Sequence, residues 1–148
     1  MKSFTFHLQK VLDLKEKERE QAEWAYGRSV QRKTEEEGKL LELFERSDDM
    51  ARMLVKVQEQ PCKASQLSMI SQYRQAVERS IHHQQQTVLG MEQEVERCQM
   101  RLRERMRESK LWQRMRERSL ALYLEAEKAR EQKELDEIGT QLYLRRSN

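Results

Sequence analysis

The sequence predicts an all-α chain, a long two-helix antiparallel coiled-coil hairpin in which the second helix overhangs the first. Three observations carry that prediction. The chain has 148 residues with only four glycines and one proline, so almost nothing in it interrupts a helix. It is 37% charged and only 6% aromatic, with a mean hydropathy of -1.04, too little apolar bulk for a thick core but enough for a narrow seam between helices. The apolar residues recur at helical spacing, and the net charge is only +3, which argues against wholesale disorder. The expected layout is one coiled-coil domain over residues 1–148, with a helix over about 4–57, a hinge over about 58–65 and a helix over about 66–145.

The first arm starts near Phe4 and carries a seam through Leu8, Val11, Ala22, Ala25, Ser29, Leu43, Met50, Met53 and Val57. Its middle, from Gln31 to Gly38, is polar. Pro61 then disfavours helix at the residue before it and tolerates the first turn of a new one, which makes it the natural hinge; a kink in one continuous helix is the alternative. The hydroxyls of Ser65 and Ser68 offer caps for the second arm.

The second arm has the clearest period. Alternate steps of four and three from Ile70 run through Val77, Ile81, Val88, Val95, Leu102 and Trp112 to Ala126, and eleven of the seventeen positions are apolar. A reversal at Pro61 pairs residues whose numbers total about 120. That sets Phe44 near Val77, Leu8 and Val11 near Ser109 and Trp112, and Trp24 opposite Glu96 and Cys98. The second arm then outruns the first by about twenty-five residues, roughly Leu120 to Leu144, at ~1.5 Å per residue. An apolar face without an internal partner is a docking element, and Leu135, Ile138 and Leu142 make a small face of that kind.

Several functions find no support in the residues. No stretch approaches the ~18 apolar residues of a membrane span. His7, Lys10 and Asp13 spoil the segment Met1–Lys15 as a secretory core, so it reads as the mature start of a helix. Cys62 and Cys98 would lie roughly 50 Å apart along a hairpin, too far for a disulfide, which fits a reducing cytoplasm. His82 and His83 are adjacent, so they point about 100° apart and do not share a metal ion. The glycines stand singly, without a phosphate-cradling loop. No cofactor, no metal and no catalytic residue is expected, and the chain reads as a non-enzyme.

Charge is unevenly placed. From Arg97 to Arg118 nine basic residues stand against three glutamates, a local +6; from Lys33 to Asp49 three stand against seven acidic residues, or -4. Such runs are commonly solvated helix faces, and the functional alternative is a footprint for an acidic protein, lipid headgroups or nucleic acid. Nucleic acid fits least, because a basic-zipper protein places its basic region before the zipper.

The opening Phe4-Thr5-Phe6-His7-Leu8-Gln9-Lys10-Val11-Leu12 resembles the start of the flagellar export protein FliJ family, and Trp112 with Lys133-Glu134-Leu135-Asp136-Glu137-Ile138 resembles that family's carboxyl half. No heptad demands the Phe-x-Phe-x-Leu-Gln-Lys opening. The resemblance covers the whole chain and implies a component of the bacterial flagellar type III export apparatus. It implies a coiled coil similar to the stalk subunit of rotary ATPases, a monomer when alone, that enters the export ATPase ring and promotes its assembly and activity. On this sequence the ring contact would fall on Phe4, Phe6, Leu8, Val11, Leu120, Tyr123, Leu135, Ile138 and Leu142. The resemblance also implies contact with the cytoplasmic linker of the export gate, through Leu43, Phe44, Tyr73, Val77, Ser80 and Gln84. Residue by residue, Val77 also sits in the heptad seam. Export chaperones are a further implied partner, with no site to assign, and peripheral association at the cytoplasmic face of the membrane would come through partners. Two rival readings remain at this level: a self-associating structural coiled coil, and a holding chaperone of helical hairpins, which would need strand-forming segments that Val55-Lys56-Val57-Gln58 is too short to supply.

Overall fold

The computed structural model describes residues 3–61 and 63–147. Two α-helices account for nearly all of them: α1, Gln9–Gln58, of 50 residues, and α2, Ala64–Ser147, of 84. The all-α, two-helix fold expected from the sequence is what the chain adopts, and the second helix exceeds the first by 34 residues (84 less 50). α1 stops at Gln58 and α2 starts at Ala64, so Pro61 separates two helices and does not kink one. The cap of α2 falls on Lys63, whose carbonyl accepts from the amides of Gln66 at 3.0 Å and Leu67 at 3.4 Å, so Ser65 and Ser68 lie inside the helix. Arg145 and Arg146 occupy the last turn of α2, where cations oppose the helix dipole. Cys62 lies outside the described residues; Cys98 is a buried free thiol.

The chain forms two compact units, residues 1–20 with 104–148, and residues 21–103. In the second unit the helices run antiparallel in the expected register. Gln84 donates through Nε2 to the main-chain carbonyl of Glu36 at 3.0 Å and to its carboxylate at 2.5 Å, a pair whose numbers total 120. Its core is Ala22, Ser29, Val77, Val88 and Cys98, each under 9% exposed. Small side chains there let two helix backbones approach closely. Trp24 is not part of that contact: it is 68% exposed, with the Arg28 guanidinium 5.2 Å above its ring. Met53, expected in the seam, is 52% exposed, and Leu54 takes the inward place one residue on.

In the other unit the register is shifted from the expected one. Lys15 meets Glu108 and Arg105 meets Glu18, pairs that total 123, and Arg116 meets Gln9. Leu12, 3% exposed, is therefore the residue driven into the seam, with Ser109 at 1%, in place of Leu8 and Val11 against Ser109 and Trp112. The first residues differ too. Residues 3–6 are not helical, α1 begins only at Gln9, and a backbone bond from Gln9 N to Phe6 O closes the turn before it. Phe4 lies 5.4 Å from the Tyr123 ring, and residues Leu120 to Glu127 are partly covered. The stretch of α2 without cover is consequently residues 128–147, where every residue is exposed, and not Leu120 onward.

The heptad register of α1 is continuous. Leu12, Lys15, Arg19, Ala22, Tyr26, Ser29, Lys33, Glu36, Leu40, Leu43, Ser47, Met50, Leu54 and Val57 alternate steps of three and four, and all are buried or half-buried. The polar stretch from Gln31 to Gly38 does not interrupt the seam, because Lys33 and Glu36 occupy its inward positions.

Candidate partner-binding interfaces

Within the unit of residues 1–20 and 104–148, one flank of the helix pair carries a closed ring of four charges. Lys15 Nζ lies 3.2 Å from Glu108 and 3.5 Å from Glu18, and Arg105 lies 3.2 Å from Glu108 and 3.3 Å from Glu18. Every cation touches both anions. The residues preceding the seam positions Arg19 and Ser109, namely Glu18 and Glu108, face each other as equivalent flanking positions do in an antiparallel pair. The opposite flank is joined by hydrogen bonds between a charged group and a neutral amide, with no ion pair: Gln113 Nε2 donates to Glu16 at 3.4 Å and Arg116 Nε donates to Gln9 Oε1 at 3.1 Å.

The hydrogen bond from Lys15 holds the Glu108 carboxyl below its usual value of 4.5, with Arg105 adding to the effect, and the same bond raises Lys15 above 10.5. A carboxylate with a depressed pKa contributes stability that is present above its unfolded value and lost as pH falls through the folded one. A raised lysine contributes below its unfolded value and loses it as pH rises through the folded one. Both contributions are therefore complete between 4.5 and 10.5. Glu108→Gln is expected to lower the thermal midpoint at pH 7, and to show a smaller further fall between pH 7 and pH 3 than the wild type does. Circular-dichroism melts of both proteins at the two pH values check this; parallel acid limbs would remove Glu108 from the account.

The residues expected to meet an ATPase ring all lie in this unit, but in two different environments. Phe6 is buried at 7%, and Phe4, Leu8, Val11, Leu120 and Tyr123 are half-buried. Phe4 packs on Tyr123 at 5.4 Å and lies under the Arg116 guanidinium at 5.7 Å. Burial, with the nearby Glu127 carboxylate, pushes the Tyr123 phenol up. These residues hold the unit together. Leu135, Ile138 and Leu142 are 62%, 54% and 55% exposed, spaced three and four apart on one face of α2. They are free to meet a partner.

The residues expected at an export gate lie in the other unit and are not gathered on one open face. Val77 is buried, Leu43 is half-buried, and Gln84 is tied to Glu36. The Gln84 hydrogen bond, with Lys39 beside it, holds the Glu36 carboxyl low. Tyr73, 50% exposed, and Ser80 each precede a seam position and share one flank of α2; the Ser80 hydroxyl donates to the Ala76 carbonyl at 3.1 Å. Phe44, 41% exposed, follows its seam position and belongs by register to the other flank. Tyr73 and Ser80 thus border Val77 and Gln84 along that edge.

Among the described residues no group of three metal-ligating side chains comes together and no helix is long and apolar enough to cross a membrane. What sequence reasoning missed are the polar seam residues Lys15, Arg19, Lys33 and Glu36, whose only signal was their place in an unbroken alternation of threes and fours.

Comparison with known proteins agrees with this architecture. The Flagellar FliJ protein of Bacillus subtilis (strain 168) is 25% identical over 142 residues, 96% of this chain and 97% of that one. Among solved structures, CT670 from Chlamydia trachomatis, described as a YscO homolog, has the same fold with a TM-score of 0.73 at 22% identity, covering 95% of this chain and 96% of that one. The family model described as Flagellar FliJ protein matches residues 4–148, and over that length the chain belongs to the FliJ family.

Proposed function

We propose that this flagellar export component works as a non-enzymatic, central-stalk-like coiled coil. It is a monomer that enters the ring of the export ATPase, promotes the ring's assembly and hydrolysis, and links it to the cytoplasmic linker of the export gate. The observation that carries the reading is residues 128–147 of α2, twenty consecutive helical residues with no cover, bearing the stripe Leu135, Ile138 and Leu142. Burying three leucine-sized side chains removes enough apolar surface, at ~25 cal/mol per Å², to hold a partner. The cluster of buried Phe6 with half-buried Phe4, Leu8, Val11, Leu120 and Tyr123 would act behind it as the rigid base. Family membership supplies the export context. For the gate, the exposed edge formed by Tyr73 and Ser80, with Val77 and Gln84 beneath, offers an aromatic anchor of the kind that dominates interface energies. Membrane association would then be peripheral and through these partners, and chaperone contact has no residues to support it.

The test is light-scattering mass of the purified chain, alone and mixed with the export ATPase, beside the ATP hydrolysis rate. A monomer that joins a ring and raises the rate is expected. A stable dimer that leaves the rate unchanged would overturn the proposal and favour heptads that serve self-association.

A further inference from the structure

On α2, the face turned away from the seam between residues 107 and 122 presents Arg107, Leu111, Arg114, Met115, Arg118 and Leu122. At 100° per residue these six fall within an arc of about 100°, over a helix length of about 22 Å. All are exposed, Leu111 at 58%, Met115 at 40% and Leu122 at 60%. No acidic residue stands in that arc between its ends; Glu104 and Glu125 bound it. At the seam, Arg105 is neutralised by Glu18 and Glu108. Arg107, Arg114 and Arg118 take part in none of the ion pairs among the described residues.

A row of unpaired arginines interleaved with exposed leucine and methionine suits an acidic surface that also accepts apolar side chains. Stacked nucleic-acid bases would call for aromatic rings on the face, and it has none. At 100° per residue the three arginines hold one side of the arc and Leu111, Leu122 and Met115 the other. A helix of an acidic protein would centre on the apolar row and call for basic residues on both of its flanks, as in coiled-coil pairing, and here they stand on one flank only. A bilayer interface makes neither demand. Arginine heads stay hydrated at the phosphate level on their long stems while leucine and methionine reach past them into the acyl boundary.

We infer that the outer face of α2 over residues 107–122 binds the surface of an anionic lipid bilayer directly, with the helix lying in the plane of the headgroups. This goes beyond the export-apparatus reading, which needs only protein partners, and does not depend on it. Each arginine near an anionic surface contributes roughly fivefold to partitioning, so three contribute roughly a hundredfold. The attraction falls off within a Debye length, about 10 Å at 0.1 M salt.

The experiment is flotation of the full-length chain with large unilamellar vesicles, either pure phosphatidylcholine or phosphatidylcholine with 30% phosphatidylglycerol, and in parallel a pull-down on immobilised poly-glutamate. The chain is expected to float with the anionic vesicles only, and to be released by 0.5 M sodium chloride. Arg107→Glu/Arg114→Glu/Arg118→Glu is expected to lower partitioning at least tenfold, and Leu111→Gln/Leu122→Gln at least threefold, with far-ultraviolet circular dichroism unchanged since all five side chains are exposed. Equal partitioning of the charge-reversed variant, or no flotation by the wild type, overturns the inference. Retention on poly-glutamate without flotation would give the face to an acidic protein, and a Leu111/Leu122 variant that partitions like the wild type would remove the insertion.

Discussion

Truncation after Glu127 is expected to abolish stimulation of the export ATPase while leaving the rest of the chain folded. From residue 128 onward every described side chain is exposed, so the deletion removes helix but almost no packing between helices. Phe4 keeps its Tyr123 partner at 5.4 Å, and Leu12 and Ser109 keep their seam. A deletion from Leu120 would be less informative, because it also removes the cover of Phe4 and confounds lost docking with lost folding. The triple variant Leu135→Gln/Ile138→Gln/Leu142→Gln refines the test. Three apolar anchors at about 1 to 2 kcal/mol each correspond to a loss of roughly a hundredfold or more in affinity for the ring. The measurements are hydrolysis rate against chain concentration and a thermal melt of each variant. Full stimulation by the truncated chain would show that residues 128–147 do not make the ring contact.

Leu12→Ala is expected to be the most destabilising single truncation in the unit of residues 1–20 and 104–148, whereas Leu14→Ala, two residues away, should be nearly silent. Leu12 is 3% exposed and Leu14 is 53% exposed. Emptying a fully buried leucine site costs about 2 to 4 kcal/mol, through lost transfer energy and the cavity left behind. A half-exposed leucine away from the seam lies in the range of about 0.5 kcal/mol. The seam is one side chain thick, so no second layer can collapse into the gap. Urea denaturation of the two variants, followed by circular dichroism, measures the difference directly. Equal midpoints would mean that this end of α1 does not pack as described.

The contrast between Leu12 and Leu14 shows where reading the sequence stops. In α2 the heptad positions counted from Ile70 were legible: fifteen of the seventeen are buried or half-buried, with Arg74 and Ala126 the exceptions. Apolar residues there are dense enough to define the stripe. In α1 the inward positions include Lys15, Arg19, Lys33 and Glu36, and hydrophobic periodicity cannot detect a seam position filled by a charge. Such residues bury only their stems and send the charge to a flank, as Lys15 does to reach Glu108 at 3.2 Å.

The amino acids by themselves determined that the chain is helical, that it breaks at Pro61, which inward stripe α2 uses, and that its carboxyl end carries a spare apolar face. Local propensity, proline sterics and a period of 3.5 act within one segment and need no partner to operate. Only the tertiary structure decided which residue of α1 meets which residue of α2 near the amino terminus. That register goes with the four-charge ring of Lys15, Glu18, Arg105 and Glu108, which joins groups about ninety positions apart in the chain. It also decided that Leu120 and Tyr123 belong to the covered part of α2, leaving residues 128–147 as the part with no partner in this chain.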